Sequence, residues 1–245
     1  MSVVVSEQLS DAAVGALCVL GRGIERVKTR YASVWRPTRY LEQPSAGGGH
    51  SGTRHQAALH DATSLIAGGN ANLLAACTLL DRLRRQGHTP NLVIFAAGRP
   101  PYLSTGADPT LNEGIVMQDS FLRRASLNPR RTRLIILTEN RNTYDDITST
   151  ISLAVQRGIS QIAVITVRVH IARSMEFARQ TPDIKNHLRL SFLAAEDLLH
   201  ERYRNHPCIV GALDAARTSA AYQRTAAREA HGLQALRTGT YWTNR

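Results

Sequence analysis

Short apolar runs alternate with longer amphipathic segments along the chain from residue 63 onward. In the amphipathic segments apolar residues recur every three or four positions, as at Ile147, Ile151 and Val155, which is the spacing of one helix face. The apolar runs predict strands over 64–67, 92–96, 133–137, 162–166 and 188–193. The segments between them predict helices near 71–86, 112–126, 143–157 and 170–180. This alternation predicts an α/β fold with a Rossmann-like parallel sheet of about five strands and helices on both faces.

The two ends of the chain carry helical patterns of their own. Residues 6–30 have apolar positions at helical spacing, among them Leu17 and Ile24, and predict an N-terminal helix. A stretch rich in Gly, Pro, Ser and His around 43–52 is typical of a loop or linker. Two more helical patterns within 196–237 would cover the sheet edge, close a pocket or form the surface of a homodimer, and the sequence does not choose among these. The expected organisation is an N-terminal helix and linker packing on the main body (1–62), a Rossmann-like domain (63–195) and a C-terminal helical extension (196–245).

The charge of the chain is strongly positive but evenly spread. Lys and Arg number 30 against 19 Asp and Glu, a formal charge of +11, and 28 of the 30 cations are arginine. Residues 1–60 carry 7 cations and 4 anions, 61–200 carry 16 and 12, and 201–245 carry 7 and 3. Because no basic stripe with interleaved aromatic residues stands out, we expect no nucleic-acid partner. A hydrophobic content of 43% with 20% charged residues excludes a disordered tail and predicts a soluble globular protein.

The cysteines and the N-terminus bear on the cellular compartment. Cys18, Cys77 and Cys208 are far apart and form no Cys-x-x-Cys pair, so we expect neither a metal ion nor redox chemistry. The N-terminus lacks a basic n-region, and its longest apolar stretch, 12–20, is too short to span a bilayer. We therefore expect a cytoplasmic chain with no export signal and no membrane contact.

Ligands of open parallel sheets collect at the carboxyl ends of the strands, so the residues after each predicted strand form the candidate site. Two glycine turns come first, with Gly68, Gly69 and Asn70 after the first run and Gly98 and Arg99 after the second. Their backbone N–H groups would receive a phosphate or a carboxylate, although a tight strand-to-helix turn also requires glycine. Neither turn is Gly-x-Gly-x-x-Gly or a P-loop, which disfavours an ordinary NAD enzyme or a phosphate-loop NTPase.

Polar side chains crowd the segment after the third run, 138–146. Asn142 or Thr143 would cap the helix that follows, which explains part of this crowding. Glu139 is not needed for capping and lies where a ligand would bind. We predict that Glu139 acts as a polar or general-base partner of the ligand and that Asn142 and Thr143 contact the ligand.

After the fourth run, Thr166 is followed by His170 and Arg173, three residues apart on one face of the next helix. An imidazole and a guanidinium at a helix N-terminus can hold an anionic group and exchange a proton with it. The alternative is that the two side chains cover the sheet edge. We predict that His170 is catalytic and that Thr166 and Arg173 bind the ligand.

The order of these motifs resembles that of the SanA/ElyC/YdcF-like domain of unknown function, and in particular its soluble YdcF-like branch. The matching positions are the pair Gly68 and Gly69, the turn at Gly98, the helix start Asn112-Glu113, the pair Asn142-Thr143, Thr166, His170 and Arg173. The resemblance covers 63–195 and extends to a tail from Glu229 to Tyr241. It implies a Rossmann-like sheet and a pocket for a charged small molecule. Soluble relatives are associated with S-adenosylmethionine, and envelope relatives with lipid-carrier and peptidoglycan physiology.

Our first hypothesis is an enzyme, a transferase, that binds S-adenosylmethionine or a nucleotide-like ligand across the strand ends and transfers a group to an acceptor. The departures of this chain from the family's pattern suggest a role in specialised metabolism. The expected catalytic residues are Glu113, Glu139 and His170. The expected ligand-binding residues are Gly68, Gly69, Asn70, Gly98, Arg99, Asn142, Thr143, Thr166 and Arg173. Two alternatives stay open. One is a hydrolase or transferase that acts on a phosphorylated or sugar-containing carrier by acid–base chemistry without a metal, and the other is a non-catalytic ligand-binding protein.

Overall fold

Six parallel strands form the central sheet. The computed structural model describes residues 4–9, 14–28, 32–38, 68–98, 111–125, 127, 130–181 and 188–242. The strands of the sheet are β1 (Val4–Ser6), β2 (Ala16–Leu20), β5 (Leu92–Ala96), β6 (Arg133–Leu137), β7 (Gln161–Thr166) and β8 (Arg189–Ala194). They lie in the order β1-β8-β7-β2-β5-β6, and every neighbouring pair is parallel. A separate antiparallel hairpin consists of β3 (Ile24–Lys28) and β4 (Ser33–Pro37).

Seven α-helices flank the sheet in the described part of the chain. They are α1 (Gly68–Arg85), α2 (Glu113–Leu122), α3 (Thr143–Gln156), α4 (Arg168–Gln180), α5 (Ala195–Arg202), α6 (Pro207–Thr218) and α7 (Ala220–Arg237). A short 3-10 helix, Thr240–Trp242, follows. None of these helices is long and apolar enough to cross a lipid bilayer.

The hydrophobic core lies on both faces of the sheet. On one face the strands pack against α1, α2, α5 and α6, and on the other against α3, α4 and α7. Alternate residues of β2 belong to the core on opposite faces of the sheet. Leu17 and Val19 lie on the face of α1 and α2, and Cys18 and Leu20 lie on the face of α3 and α4. The predicted α/β parallel sheet with helices on both faces is therefore confirmed, with six strands where about five were expected.

The N-terminal helix predicted over 6–30 is wrong, because this segment contributes β2, β3 and the last residue of β1. Strand β2 lies between β5 and β7, with Cys18 opposite Ile94 on one side and Val164 on the other. All five residues of β2 are buried. A strand buried on both faces is an unbroken apolar run that shows no period of two, so spacing does not separate it from a helix. The segment before residue 62 thus supplies an internal strand of the sheet instead of only packing on the body.

The later elements lie close to their predicted positions. Strands β5 to β8 and helices α1 to α4 fall on the expected runs and segments. The patterns within 196–237 form three helices, α5 to α7, where two were expected. The predicted run 64–67 and the Gly-rich stretch 43–52 lie outside the described residues.

The connections that follow β2 and β7 lead to opposite sides of the sheet. Strands β2 and β7 are neighbours in the sheet. The next strand of the sheet after β2 in the chain is β5, which lies beside β2, and the next after β7 is β8, which lies on the far side of β7. The carboxyl ends of these strands, at Leu20 and Thr166, therefore lie at the switch point of the sheet, the place where open parallel sheets bind ligands.

Candidate active site

Glu113 reaches from the start of α2 to the turn that follows β2. The side chain of Asn112 caps α2 by accepting a hydrogen bond from the Gly114 N–H at 2.8 Å, which fixes where the helix begins. Glu113 Oε1 accepts hydrogen bonds from the backbone N–H groups of Arg22 and Gly23, both at 2.6 Å. Burial raises the pKa of Glu113 to about 7, although these two hydrogen bonds and the Arg22 guanidinium oppose the shift. The carboxyl is therefore able to gain or lose a proton near neutral pH.

The turn after β2 approaches Glu113 so closely that position 21 has no room for a side chain. A Cβ atom on Gly21 would lie 2.7 Å from Glu113 Cδ and 2.5 Å from Ala97 Cβ. Glycine at this position lets the backbone present two consecutive N–H groups to the carboxylate.

Two arginines converge on one glutamate beside this turn, and we call Arg22, Arg173 and Glu229 the arginine–glutamate cluster. Arg173 Nε and Nη2 donate to the two carboxylate oxygens of Glu229 at 2.7 and 3.1 Å. Arg22 Nη1 lies 3.6 Å from Glu229 Oε1. Arg173 Nη1 also donates to the hydroxyl of Tyr241 at 3.1 Å. The side chains of Arg22 and Glu229 are only 9% and 11% exposed, so one carboxylate from α7 pairs with two guanidiniums with little help from water and offsets half of their charge.

His170 links two threonines. Its Nε2 lies 3.1 Å from Thr143 Oγ1 and its Nδ1 lies 3.1 Å from Thr166 Oγ1. Burial, reinforced by the charges of Arg22 and Arg173, lowers the pKa of His170 well below its usual value. The ring is therefore neutral at pH 7 and brings no positive charge to an anion site. The structure places it beside Arg173, as expected, but as a hydrogen-bonding link between the start of α3 and the end of β7.

In the loop that follows β6, most polar side chains form hydrogen bonds with one another and with the start of α3. Asn142 caps α3 by accepting from the Asp145 N–H at 3.1 Å. Asn140 donates to Asp146 at 2.9 Å, and burial raises the pKa of Asp146 well above its usual value, with Glu113 adding to the shift. Glu139 is exposed and accepts a hydrogen bond from the neighbouring Thr138 hydroxyl at 3.2 Å. The predicted general base Glu139 is thus on the surface, whereas Thr143 of the same loop contacts His170.

The glycine turn at the start of α1 is bound by the end of the β3–β4 hairpin. The Gly69 N–H donates to Thr38 Oγ1 at 3.3 Å, and the Asn70 N–H donates to the Thr38 carbonyl at 3.0 Å. The Asn70 side chain accepts a hydrogen bond from Arg124 at 3.2 Å. Two N–H groups that were predicted to receive a ligand are therefore already satisfied within the chain. Arg99 of the second predicted turn lies outside the described residues.

No family model, curated protein or solved structure matches this chain. The resemblance to the SanA/ElyC/YdcF-like domain therefore stays a prediction. Within the described residues, no group of three or more His, Cys, Asp or Glu side chains is placed to hold a metal ion.

Sequence reasoning missed two charged members of the site, Arg22 and Glu229. Arg22 has a recognisable signal, because it lies between two glycines directly after an apolar run, which is the pattern of a strand end. That signal was lost when the run was assigned to a helix. Glu229 contacts Arg173 across 56 residues, and only its place in the tail of the resemblance pointed to it.

An open groove of about 880 Å³ lies away from this site, where α1 and α5 end. Arg82 pairs with Glu201 at 2.9 Å, and Arg202 pairs with Asp81 at 3.3 Å, so the two helices are joined by ion pairs. The groove contains none of the predicted site residues, and Arg82, Arg84 and Arg85 of the last turn of α1 line it.

The predicted turn residue Gly98 packs against the backbone of the third loop. A Cβ atom at this position would lie 1.7 Å from the carbonyl oxygen of Asn140. Gly98→Ala must therefore push two backbone segments apart, and we expect it to lower the free energy of unfolding by about 2 kcal/mol. Denaturant unfolding measures this change.

Gly211→Ala is the matched control, because an added Cβ there meets nothing within 4 Å and the position lies inside α6. We expect this variant to be more stable than the wild type by about 0.5–1 kcal/mol, the helix propensity difference. Equal stability of Gly98→Ala and the wild type would show that the loop yields without cost.

Proposed function

We propose that this chain is an enzyme that binds S-adenosylmethionine or a nucleotide-like ligand at the carboxyl ends of β2 and β7 and transfers a group to an acceptor. The single observation that carries the proposal is the Glu113 carboxyl, buried beside the crevice with a pKa of about 7. A general base is most effective when its pKa lies near the working pH. Carboxyls whose pKa is strongly shifted by burial cluster at active sites.

Glu113 would accept the proton of the acceptor as the new bond forms. S-adenosylmethionine, when bound, supplies an activated methyl group. The carboxylate of Glu113 takes the proton from the acceptor atom, so that the products are the methylated acceptor, S-adenosylhomocysteine and protonated Glu113. The two N–H groups of Arg22 and Gly23 hold Oε1 in place during this exchange.

The arginine–glutamate cluster would supply the anion site. The carboxylate of Glu229 already pairs with both guanidiniums and receives two hydrogen bonds from Arg173. We propose that the carboxylate or phosphate of the ligand takes this position in exchange for Glu229. Thr143 and Thr166, held by His170, would contact the uncharged part of the ligand.

The same proposal includes the cellular setting. The three cysteines are free thiols, which suits a reducing cytoplasm. A homodimer and a role in specialised metabolism belong to this proposal as well.

A ligand panel tests the proposal. We expect S-adenosylmethionine, S-adenosylhomocysteine or a nucleotide at 100 times its Kd to stabilise the chain by about 2.7 kcal/mol, as seen in thermal unfolding. Arg173→Lys keeps the charge but loses the planar fork, so we expect it to weaken binding about tenfold. Arg179→Lys on the same helix is the control, because Arg179 is 48% exposed and pairs with Glu176 one turn away on the surface of that helix.

The other functions give different results in the same panel. Stabilisation by sugar nucleotides or phosphorylated carriers alone, with loss of the carrier's phosphate or sugar, would favour the hydrolase or transferase alternative. Stabilisation by S-adenosylmethionine with no S-adenosylhomocysteine formed from any acceptor would favour a ligand sensor. If Arg173→Lys and an alanine at His170 left both affinity and product formation unchanged, the site assignment would be wrong.

A further inference from the structure

Strand β6 forms one edge of the central sheet. It pairs with β5 on one side, and no strand of the described residues pairs with the other side. The residues from Leu134 to Leu137 are only half-buried, whereas β2, β5 and β7 are buried along their whole length. Sheet edges are normally protected from further pairing by charged side chains, proline or a covering element. The run from Leu134 to Leu137 contains no charged residue and no proline.

The backbone of β6 is oriented to pair on its outer side. The Arg133 N–H donates to the Asn91 carbonyl at 2.9 Å, on the side of β5. Because the N–H and C=O groups of successive residues point to opposite sides of a strand, those of Leu134 and Ile136 point away from β5. These two residues therefore present two donors and two acceptors to a further strand.

The exposed large apolar side chains lie on the elements around β6. In the described part of the chain there are four, between 37% and 50% exposed, namely Val34, Ile115, Leu122 and Val155. Ile115 and Leu122 are on α2 and Val155 is on α3, the helices that contact the two faces of β6. Val34 is on β4, which packs against α2. Exposed apolar surface that is concentrated in one region marks a protein interface.

We propose that β6 pairs antiparallel with β6 of a second copy of this chain, about a twofold axis at Ile135. Leu134 then lies opposite the partner's Ile136, and each such pair exchanges two backbone hydrogen bonds. Both copies keep α2 on one face and α3 on the other, so the two six-stranded sheets become one continuous sheet. The inference gives the proposed homodimer its surface, and it rests on that part of the proposed function alone.

The charges around β6 favour a second copy over a different partner. Arg131 lies four residues before Ile135 and Glu139 lies four residues after it, and both are exposed. An antiparallel copy centred on Ile135 therefore places Arg131 beside the partner's Glu139 at each end of the pair. On α2, Asp119 and Arg123 are exposed one turn apart, and their order is reversed in the antiparallel copy of this helix. A strongly acidic or strongly basic partner would meet like charges on this surface, whereas a second copy meets opposite charges.

Sedimentation equilibrium of the full chain tests the interface. We expect the wild type to have twice the chain mass of 26.9 kDa. Ile135→Lys places two ammonium groups opposite each other at the twofold axis, where β6 meets β6 of the second copy. We therefore expect this variant to raise the dissociation constant of the dimer about 100-fold, because like charges brought together at an interface repel strongly.

Two exposed charge reversals keep the test decisive if Ile135→Lys folds poorly. Glu139→Arg faces the partner's Arg131, and we expect it to weaken the dimer about tenfold, because two exposed ion pairs become two repulsions. Adding Arg131→Glu to this variant restores opposite charges and should restore dimerisation. Glu7→Arg is the matched control and should leave the dissociation constant unchanged, because Glu7 is an exposed glutamate directly after β1, at the opposite edge of the sheet.

Hydrogen exchange identifies the edge that pairs. The N–H groups of Leu134 and Ile136 should exchange slowly where the chain is dimeric and quickly after dilution to the monomer. A chain that is monomeric at all concentrations overturns the inference, and so does a dimer that Ile135→Lys and Glu139→Arg leave intact or in which these two N–H groups exchange quickly. A dimer that pairs through β6 but binds no ligand of the panel would leave this inference in place and overturn the proposed ligand.

Discussion

Replacing Glu113 with Gln is expected to flatten the pH dependence of stability between about pH 4.5 and pH 7. The pKa of Glu113 is raised from 4.5 to about 7 in the folded chain. The folded state therefore holds the proton more tightly than the unfolded state, and protonation of this carboxyl favours folding. Its stabilising contribution is fully present below pH 4.5 and is lost as the pH rises through 7.

The expected size follows from the width of that window. At 1.36 kcal/mol per pKa unit, the wild type should lose about 3 kcal/mol relative to Glu113→Gln between the two pH values. The charge of Glu113 also raises the pKa of Asp146. Glu113→Gln removes that charge, so it lowers the pKa of Asp146 and flattens the part of the pH dependence that Asp146 contributes. Denaturant unfolding at several pH values measures the difference, and Glu201→Gln, an exposed glutamate, serves as the control.

The same variant tests the proposed chemistry. Gln keeps an oxygen that accepts from the Arg22 and Gly23 N–H groups, but it cannot take a proton from an acceptor. We expect group transfer to slow by about 10² to 10⁴ with little change in ligand affinity. A Glu113→Gln protein whose stability has the wild-type pH profile would show that the carboxyl ionises at its ordinary pKa, and the role of general base would then fall with it.

The amphipathic pattern was sufficient to predict the parallel sheet and most of its helices. Strands β5, β7 and β8 are apolar runs bounded by polar turns, and the helices between them have clear apolar faces. Strand β2 was missed although β5 and β7, which are buried just as fully, were predicted. Apolar residues before and after β2, such as Val14 and Ile24, continue its run at helical spacing, so the whole segment was assigned to a helix.

The part of the candidate site that lies at the carboxyl ends of the strands, along one edge of the sheet, could be predicted from the sequence. Thr143 and Arg173 belong to helices α3 and α4, which pack side by side on one face and begin at the same edge, so Thr143 meets His170. The partners of these residues were not predictable by the same argument. Glu229 comes from a helix whose packing on α4 depends on the folded chain, and no local pattern indicates a contact over 56 residues.

Glu229→Gln should be the most destabilising single change in the arginine–glutamate cluster. The variant leaves the buried Arg22 and the partly buried Arg173 with a neutral amide in place of the carboxylate they share. Burial already lowers the pKa of Arg22, and Glu229 is the largest influence that opposes this shift. Removing one partner of a buried ion pair typically costs about 3–5 kcal/mol, because an uncompensated charge stays behind.

Glu201→Gln is a control with a similar ion-pair distance but different burial. Glu201 pairs with Arg82 at 2.9 Å, close to the 2.7 Å between Arg173 and Glu229, but its side chain is 61% exposed against 11% for Glu229. An exposed pair contributes about 0–1 kcal/mol, so the two variants should differ by several-fold in their loss of stability. Denaturant unfolding at pH 7 gives both values.

A second change separates charge from packing in the same cluster. Adding Arg22→Met to Glu229→Gln removes one of the two stranded cations, and the double variant should recover part of the lost stability. If the loss came instead from altered packing of α7, removing a second large side chain would deepen it. An equal loss for Glu229→Gln and Glu201→Gln would mean that water screens the two arginines, and an anionic ligand would then gain little from binding between them.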